Sequence, residues 1–302
     1  MLIRHLFIRS LSLFLVVGCH YAYAQNTPDE VLEFDRPEAW AMRYFAGAAL
    51  MQGNAAPIGL EKGQLSLGTE ISNLPYISKE NRAVGFYGTK DENLNKSPII
   101  LRPMVHYGIL KDLSVTATYV PPIEVFDRLR THMAGVSINY IAYQNENFIV
   151  RLRAYGQWTQ AKGDFTASED IAGSTDPNIN PFGLAEPSND TFTSWTYTFE
   201  ASFFLRLPIK NPTYWSLSLA RSYADLDFEI DAVYFGGFHE NRHQVTDGYI
   251  TSVSTGFETQ LTKNLSTSLI MAYVPLDVRR SQGAEQQNDA LLNFRLAFNL
   301  KL

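Results

Sequence analysis

Cysteine is nearly absent from this chain: Cys19 is the only one among 302 residues. Small secreted domains depend on disulfides for stability, and cysteine thiolates are common ligands of structural zinc. A chain with one cysteine close to its start is therefore expected to have no disulfide framework and no cysteine-based metal site.

The first 24 residues have the pattern of a secretory signal peptide. Arg4 and Arg9 give a positive start, residues 11–17 are apolar, and Ala22-Tyr23-Ala24 forms a small-x-small cleavage site. We expect residues 1–24 to be removed. The stretch that ends at Cys19 resembles a lipobox, in which Cys19 would be lipidated, and it is the alternative processing site.

Two further features are missing. Basic residues are not in excess: 25 Lys and Arg face 31 Asp and Glu, for a net charge of −6, which becomes −8 without Arg4 and Arg9. Nucleic-acid binding normally shows as a basic patch, so we expect no nucleic-acid partner. After residue 24, no run approaches the ~18–20 apolar residues that a membrane-spanning helix needs.

The chain does contain strict two-residue alternation, most clearly at its end. In "LLNFRLAFNLKL", apolar residues from Leu292 to Leu302 alternate with polar or small ones from Asn293 to Lys301. This is the pattern of a strand with one apolar and one polar face. The segment resembles the closing strand of Gram-negative outer-membrane β-barrels, although that class usually ends on an aromatic residue. The resemblance implies an outer-membrane location and lipid as a partner.

The same alternation recurs in ten segments along the chain, and the connections between them differ in length. Four connections are tight and polar, at 110–113, 144–147, 209–212 and 262–265, whereas the others are longer. Short turns on one side and long loops on the other are typical of bacterial barrels. We predict a transmembrane antiparallel up-and-down β-barrel over residues 61–302, with both termini on the short-turn, periplasmic side because ten is even. The ten predicted strands are 63–73, 98–110, 112–122, 132–143, 147–161, 191–208, 212–224, 247–261, 265–275 and 290–302.

An N-terminal segment at 25–60 precedes the barrel and is predicted to contain a helix over about 36–52. Asp35 as N-cap, Pro37 in the first turn and Glu38 three residues after the cap are helix-start signals. An apolar helix of this size must be covered, so we expect it to plug the barrel or to close its periplasmic mouth. Alternation from Trp40 to Leu50 leaves a twelve-strand barrel as the alternative.

Five charged residues are predicted to point into the barrel at similar height: Glu70, Arg102, Arg153, Glu200 and Arg295. We expect them to form an ion-pair network of mixed sign. The network is either structural, because a lone buried charge is costly, or a constriction that selects what passes. In the first long loop, Phe86 and Tyr87 are expected to fold inward over the mouth.

The sequence His239-Glu240-Asn241-Arg242-His243 has the H-E-x-x-H spacing of zinc metalloproteases. We place it in the loop between the seventh and eighth strands, where a zincin helix has no room. His239 and His243 are therefore weak metal candidates only, and we predict no metal site. Barrel hydrolases of the omptin or phospholipase type remain an alternative, with the residues available for a rim site being Asp225, Asp227, Asp231, His239 and His243.

The expected function is passive transport: a narrow channel or uptake route for small solutes, with a charged lumenal constriction and no enzymatic activity. The alternatives are a closed structural or binding barrel and the surface-loop hydrolase. We expect no cofactor, and nothing in the residues names the solute. One barrel form serves many functions, so function follows less directly from the pattern than fold does.

Overall fold

The structure is a computed structural model, and it describes residues 29–53, 58, 60–124, 129–281, 283 and 285–302. The expected signal peptide, with Cys19, lies outside the described residues. Ten long strands pair in chain order, each antiparallel to the next, and the last pairs with the first. The strands therefore close into a barrel. They are β1 (Leu65–Asn73), β2 (Ile99–Leu110), β3 (Leu113–Glu124), β4 (Arg130–Gln144), β5 (Phe148–Gly163), β6 (Asp190–Arg206), β7 (Thr213–Val233), β8 (His239–Gln260), β9 (Leu265–Val274) and β10 (Leu291–Lys301).

The predicted ten-strand barrel is confirmed, and the twelve-strand alternative is wrong because residues 37–49 are helical. The main error concerns β7 and β8, which run further than predicted. They remain paired up to Val233 and His239, so the connection between them is only 234–238. The alternation continues through this extension, but its outward residues are charged, and a pattern based on apolar faces misses it.

The barrel wall has its apolar face outside and its polar face inside. On β7, Leu217 and Leu219 point outward and are 44% and 58% exposed. Ser216, Ser218 and Ala220, which alternate with them, are buried. Exposed aromatic residues lie toward both ends of the strands, for example Trp195 and Tyr273 toward the long loops and Tyr107 and Tyr143 toward the short turns. An apolar outer band and a polar interior are the arrangement of a transmembrane barrel, because lipid covers the outer band.

The main helix, α1, spans Pro37–Ala49. Its N-cap is Arg36, without a side-chain cap, and not Asp35 as predicted, because the Asp35 carboxylate accepts from Arg279 instead. Within the described ranges, no helix has both the length and the apolar character needed to cross a membrane. The remaining elements are the strands Glu30–Val31, Ala83–Val84, Lys90–Asp91, Asp277–Val278 and Gln287–Asn288 and the short helices Lys79–Arg82 and Gly85–Gly88.

The N-terminal segment passes through the barrel from one end to the other. Glu30–Val31 pairs in parallel with Gln244–Val245, far out on β8 at the long-loop end. At the opposite end, Ile58 accepts a hydrogen bond from Lys301, next to the short turns. Residues 29–31 therefore lie at the long-loop end, and the N-terminus itself lies outside the described residues, so its place on the short-turn side stays a prediction. The strand parity itself holds, since β1 begins and β10 ends on that side.

The lipid-facing wall can be tested at Leu219, midway between outward-facing Trp215 and Tyr223. We expect Leu219→Arg to lower the unfolding free energy by about 2–4 kcal/mol, the cost of an arginine on a barrel's lipid face near the membrane midplane. Urea titration of the protein refolded into lipid vesicles measures this. Leu219→Ile is the control. Equal stability of the arginine variant and the control would mean that water, not lipid, covers this face.

Candidate functional site

The centre of the barrel is built around the C-terminal end of α1. The last carbonyl groups of a helix have no partner within it, and this helix ends on Leu50 in extended conformation, without a glycine cap. Side chains from the wall take the place of the cap. Arg102 on β2 donates to the carbonyl of Ala49, and Arg295 on β10 donates to those of Ala48 (3.3 Å) and Leu50.

The residues after the helix are held in the same way. Arg153 on β5 donates to the carbonyl oxygen of Met51. The amide of Gly53 donates to Glu200 Oε2 on β6, at 3.1 Å. Because these contacts come from different sides of the wall, the segment from Ala48 to Gly53 crosses the middle of the lumen. We call residues 37–53 the plug.

The five predicted lumenal charges are all buried and form two groups. Glu70 lies between two arginines, with 2.7 Å to Arg102 Nη1 and 3.7 Å to Arg295 Nη1. Arg153 and Glu200 form the second group, 2.8 Å apart. Glu70 and Arg102 are direct partners in the β1–β2 register, and so are Arg153 and Glu200 between β5 and β6. Both pairs therefore hold the wall together while their arginines bind the plug.

The sequence pattern did not identify the other side chains that hold the plug, or the carbonyl groups of the plug itself. Gln157 donates to the carbonyl oxygen of Ala49 at 2.8 Å. Arg151 Nη2 lies 3.5 Å from the carbonyl oxygen of Gly53. Both residues stand on the polar face of β5 in the predicted alternation. The carbonyl groups of the plug carry no side-chain signal, so no pattern could indicate them.

A small apolar cavity lies between α1 and the wall at the long-loop end. Its volume is about 60 Å³, and we call it the mouth cavity. The aromatic rings on its wall also pack on each other, with Phe45 5.6 Å from Phe165 and 5.9 Å from Phe192 between ring centroids. Its apolar lining includes Met42, Phe45, Phe165, Phe192 and Phe228.

Charged residues at the mouth cavity are paired or neutralised. Glu38 binds Arg36 at 2.9 Å, and Glu240 binds Arg242 at 2.8 Å. Burial raises the pKa of Glu92 to about 8, although Lys90 Nζ lies 2.6 Å from its carboxyl group. Each of these carboxyl groups is thus balanced by a basic side chain within the protein.

Two consecutive residues beside this cavity have strained backbones. Phe86 has φ 48° and Tyr87 has φ 61°, in the left-handed region, where a side chain with a Cβ crowds the backbone. Each such residue costs on the order of 1–3 kcal/mol and persists only where its surroundings hold it. The amide of Tyr87 donates to Glu38 Oε1 at 2.8 Å, and the Arg36 guanidinium group lies 4.0 Å from the Tyr87 ring centre.

The H-E-x-x-H stretch is part of β8 and not of a loop, which corrects our prediction. In a strand, His239 and His243 share one face, but four residues at ~3.3 Å each separate them by about 13 Å. They cannot bind one metal ion together. Across the described residues, no group of three or more His, Cys, Asp or Glu is arranged to hold a metal.

The two histidines pair instead with separate aspartates. His239 Nε2 lies 2.6 Å from Asp231, and His243 lies between Asp29 (2.7 Å from Nδ1) and Asp227 (2.6 Å from Nε2). Asp227 and His239 do not converge. Asp225 lies further down β7, opposite Asp247 in the register, so the hydrolase candidates form no single rim site.

His243 fixes the outer end of the N-terminal segment. Burial of the ring favours its neutral form, but the hydrogen bonds with Asp29 and Asp227 outweigh burial and raise the pKa of His243 above the ordinary 6.5. Glu229, its register partner on β7, adds a further carboxylate on that side. Next to it, Leu32 donates its amide to the carbonyl oxygen of Val245 at 2.8 Å.

The fold and the site together define a transmembrane β-barrel whose lumen is crossed by its own N-terminal segment. No family model matches the chain, and no curated protein matches it. Among solved structures, it is similar to the outer membrane protease OmpT from Escherichia coli, with 10% identity, TM-score 0.39, 80% of this chain and 94% of that chain covered. It is also similar to the translocator domain of autotransporter NalP from Neisseria meningitidis, with 6% identity, TM-score 0.43, 86% of this chain and 92% of that chain covered. A third similar structure is the toluene transporter TbuX from Ralstonia pickettii, with 11% identity, TM-score 0.34, 91% of this chain and 96% of that chain covered. At TM-scores below 0.5, these similarities assign no function.

The coupling between wall and plug can be measured at the Arg153–Glu200 pair. We expect Glu200→Gln to lower the unfolding free energy by about 3–5 kcal/mol, because it leaves Arg153 as a buried charge without its partner. Arg153→Gln/Glu200→Gln removes both charges and is expected to recover most of the loss. Urea unfolding in vesicles gives the four values of the double-mutant cycle. Additive effects would show that the two groups do not interact.

The outer anchor at His243 is expected to weaken as pH rises. Because the folded-state pKa lies above 6.5, this stabilisation is complete below pH 6.5 and is lost as pH passes the raised value. Hydrogen exchange at the Leu32 amide, corrected for its intrinsic pH dependence, should show several-fold weaker protection on the alkaline side. In His243→Gln the protection should be weak throughout and independent of pH. A wild-type protein without this change would contradict the assignment.

Proposed function

We propose that this chain is a plugged β-barrel of the bacterial outer membrane that takes up a small, uncharged apolar solute. The observation that carries the proposal is the mouth cavity, which lies between the plug and the wall at the end with the long loops. A barrel with a purely structural role has no need of an apolar space there. A channel for ions would need charged groups that are free to bind them, whereas the carboxyl groups at this cavity are already paired.

The outer-membrane location is supported by three features of the chain. They are the secretory leader expected at 1–24, the apolar outer band of the wall and the alternating strand that ends at Leu302. Barrels of this kind place short turns in the periplasm and long loops outside the cell. On that orientation, the mouth cavity faces the cell exterior.

The class of solute follows from the lining of the cavity. Aromatic rings and Met42 offer an apolar surface, and the carboxyl groups at the cavity are paired with Arg36, Lys90 and Arg242. A volume of about 60 Å³ is well below the ~150 Å³ of a cavity that binds benzene, so a ligand of that size needs the lining side chains or the plug to move outward. Charged solutes are disfavoured, because desolvation of an unpaired charge is costly.

The plug closes the resting barrel, and passage depends on its displacement. The arginines that pair with Glu70 and Glu200 bind carbonyl groups of the plug. The five lumenal charges therefore act as a seat for the plug and not as the rim of an open pore. The helix is rich in small residues where it meets the wall: Ala46, Gly47, Ala48 and Ala49 are consecutive. Small side chains interlock little with the wall, which favours sliding.

We propose no catalytic role for the rim histidines. Both ring nitrogens of His243 are engaged by carboxylates, so neither is available to take a proton from a substrate. His239 is paired with Asp231, which leaves one ring nitrogen, but no described nucleophile is bonded to it.

Binding can be tested with fluorobenzene as the probe. The protein is placed in lipid nanodiscs, and ¹⁹F NMR separates saturable binding from partition into lipid. We expect saturable binding in the wild type and its loss in Ala41→Phe, in which the added ring fills the mouth cavity. Ala201→Phe, on the lipid-facing side of β6, is the control and should bind like the wild type. Identical behaviour of both variants would overturn the proposed site.

The need for plug movement can be tested with a disulfide between Gly47→Cys and Val274→Cys. A Cβ at Gly47 would lie 3.9 Å from that of Val274, within the range that disulfides require. We expect the oxidised double variant to bind fluorobenzene but to admit it into Gram-negative cells much more slowly, with entry restored by a reductant. Gly47→Cys alone controls for the substitution. Equal entry in the locked and reduced states would show that the plug is not the gate.

A further inference from the structure

A second, larger space lies outside the mouth cavity at the tip of the β7–β8 hairpin. It has a volume of about 550 Å³ and is open to the surroundings, and we call it the vestibule. It belongs to the part of the wall that extends beyond the predicted strands, including the H-E-x-x-H stretch. Its lining residues are Phe86, Tyr234, Phe238, His239, Glu240, Asn241 and Arg242.

Three residues line both the vestibule and the mouth cavity: Phe86, Glu240 and Arg242. The two spaces therefore adjoin at these side chains, which we call the partition. The partition stands where a solute would pass from the vestibule into the mouth cavity.

Two of the three partition residues are fixed by strong contacts. Glu240 accepts from the Tyr234 hydroxyl group and binds Arg242 at 2.8 Å. Arg242 also binds Glu30 at 3.3 Å. Moving either side chain would break ion pairs, so neither is suited to open and close.

Phe86 is held differently. Its ring stacks on Phe182 at 5.7 Å, lies 5.7 Å from the Arg242 guanidinium group and remains 39% exposed. Its carbonyl oxygen accepts from the Thr89 hydroxyl group at 2.8 Å. These contacts are weak compared with the ion pairs beside them, and the backbone at Phe86 is in the disfavoured left-handed region. The Phe86 side chain is therefore the least constrained of the three, and its strained backbone conformation persists only while the surroundings hold the turn.

The strained turn is clamped to the plug. The amide of Tyr87 donates to Glu38 in the first turn of α1, and Arg36 covers the Tyr87 ring. The position of Phe86 therefore depends on the position of the helix. A shift of α1 would withdraw Glu38 and release the turn.

We infer that Phe86 is the door through which small, uncharged apolar molecules pass from the vestibule into the mouth cavity. This inference rests on the proposed function, because it names the route by which the solute enters the mouth cavity. Glu240 and Arg242 form the fixed frame of the opening. A charged molecule would have to pass this ion pair and enter an apolar space, so the route selects for neutral molecules.

The door can be tested without any bound solute by labelling a thiol inside the mouth cavity. Ala41 lines that cavity, and the chain has no cysteine after Cys19, so Ala41→Cys supplies a single internal thiol once the leader is removed. The probe is methyl methanethiosulfonate, which is small and neutral, and its sulfonated, anionic analogue is the comparison. The rate of modification reports access to the cavity.

In the Ala41→Cys background, we expect Phe86→Ala to raise the labelling rate with the neutral reagent at least tenfold and Phe86→Trp to lower it. Phe238→Ala is the matched control: Phe238 is an exposed aromatic residue of the vestibule but does not line the mouth cavity. It should leave the rate unchanged. The anionic reagent should react slowly with every variant.

An unchanged rate in Phe86→Ala, or an equal rise in Phe238→Ala, would overturn the door. Phe86→Leu provides a second variant if the alanine protein does not fold, as judged by the gel shift of the unboiled barrel. Fluorobenzene binding is measured on the same proteins. A faster labelling rate without any fluorobenzene binding would uphold the door and reject the proposed solute, so the two failures are distinguishable.

Discussion

A helix that ends inside a membrane barrel leaves carbonyl oxygens that no water-filled surface can satisfy, and this constraint organises the protein. Arg102 and Arg295 supply the missing hydrogen bonds, and their positive charge also suits the negative end of the helix dipole. Glu70 in turn balances both arginines. The ion pairs across β1, β2 and β10 and the position of the plug are thus one arrangement, and neither part is satisfied without the other.

The same helix divides the lumen into two chemically different parts. Above the seat, α1 packs against Phe165 and Phe192, and the space beside it is apolar. Below the seat, Ile58 bonds with Glu258 and Lys301 near the short turns, beside a smaller space that is lined by both apolar and polar side chains. The larger apolar space therefore lies in the outer half, beside α1.

The barrel was predictable because lipid outside and a polar lumen inside impose alternation on each strand, and the lengths of the connections show where the strands end. The five lumenal charges were predictable for the same reason. In the observed register, Glu70 lies opposite Arg102 and Arg153 lies opposite Glu200 on neighbouring strands. The plug's contacts were not, since backbone carbonyls leave no trace in residue type. The extension of β7 and β8 was also missed, because its outward residues, such as Asp227 and His243, are polar. The apolar face that identifies a spanning strand is therefore absent there.

The direction in which the plug can move follows from how its two ends are held. At the short-turn end the segment is covalently continuous with β1, which begins at Leu65. At the long-loop end it is held by noncovalent contacts with β8: the Glu30–Val31 pairing and the Asp29–His243 bond. These contacts can break and re-form, whereas the tether cannot. If the plug moves as we propose, displacement begins at the outer anchor and draws α1 toward the short-turn side, which withdraws Glu38 from the turn at Phe86 and Tyr87. On that proposal, the opening of the door and the release of the seat are two consequences of one movement of the helix.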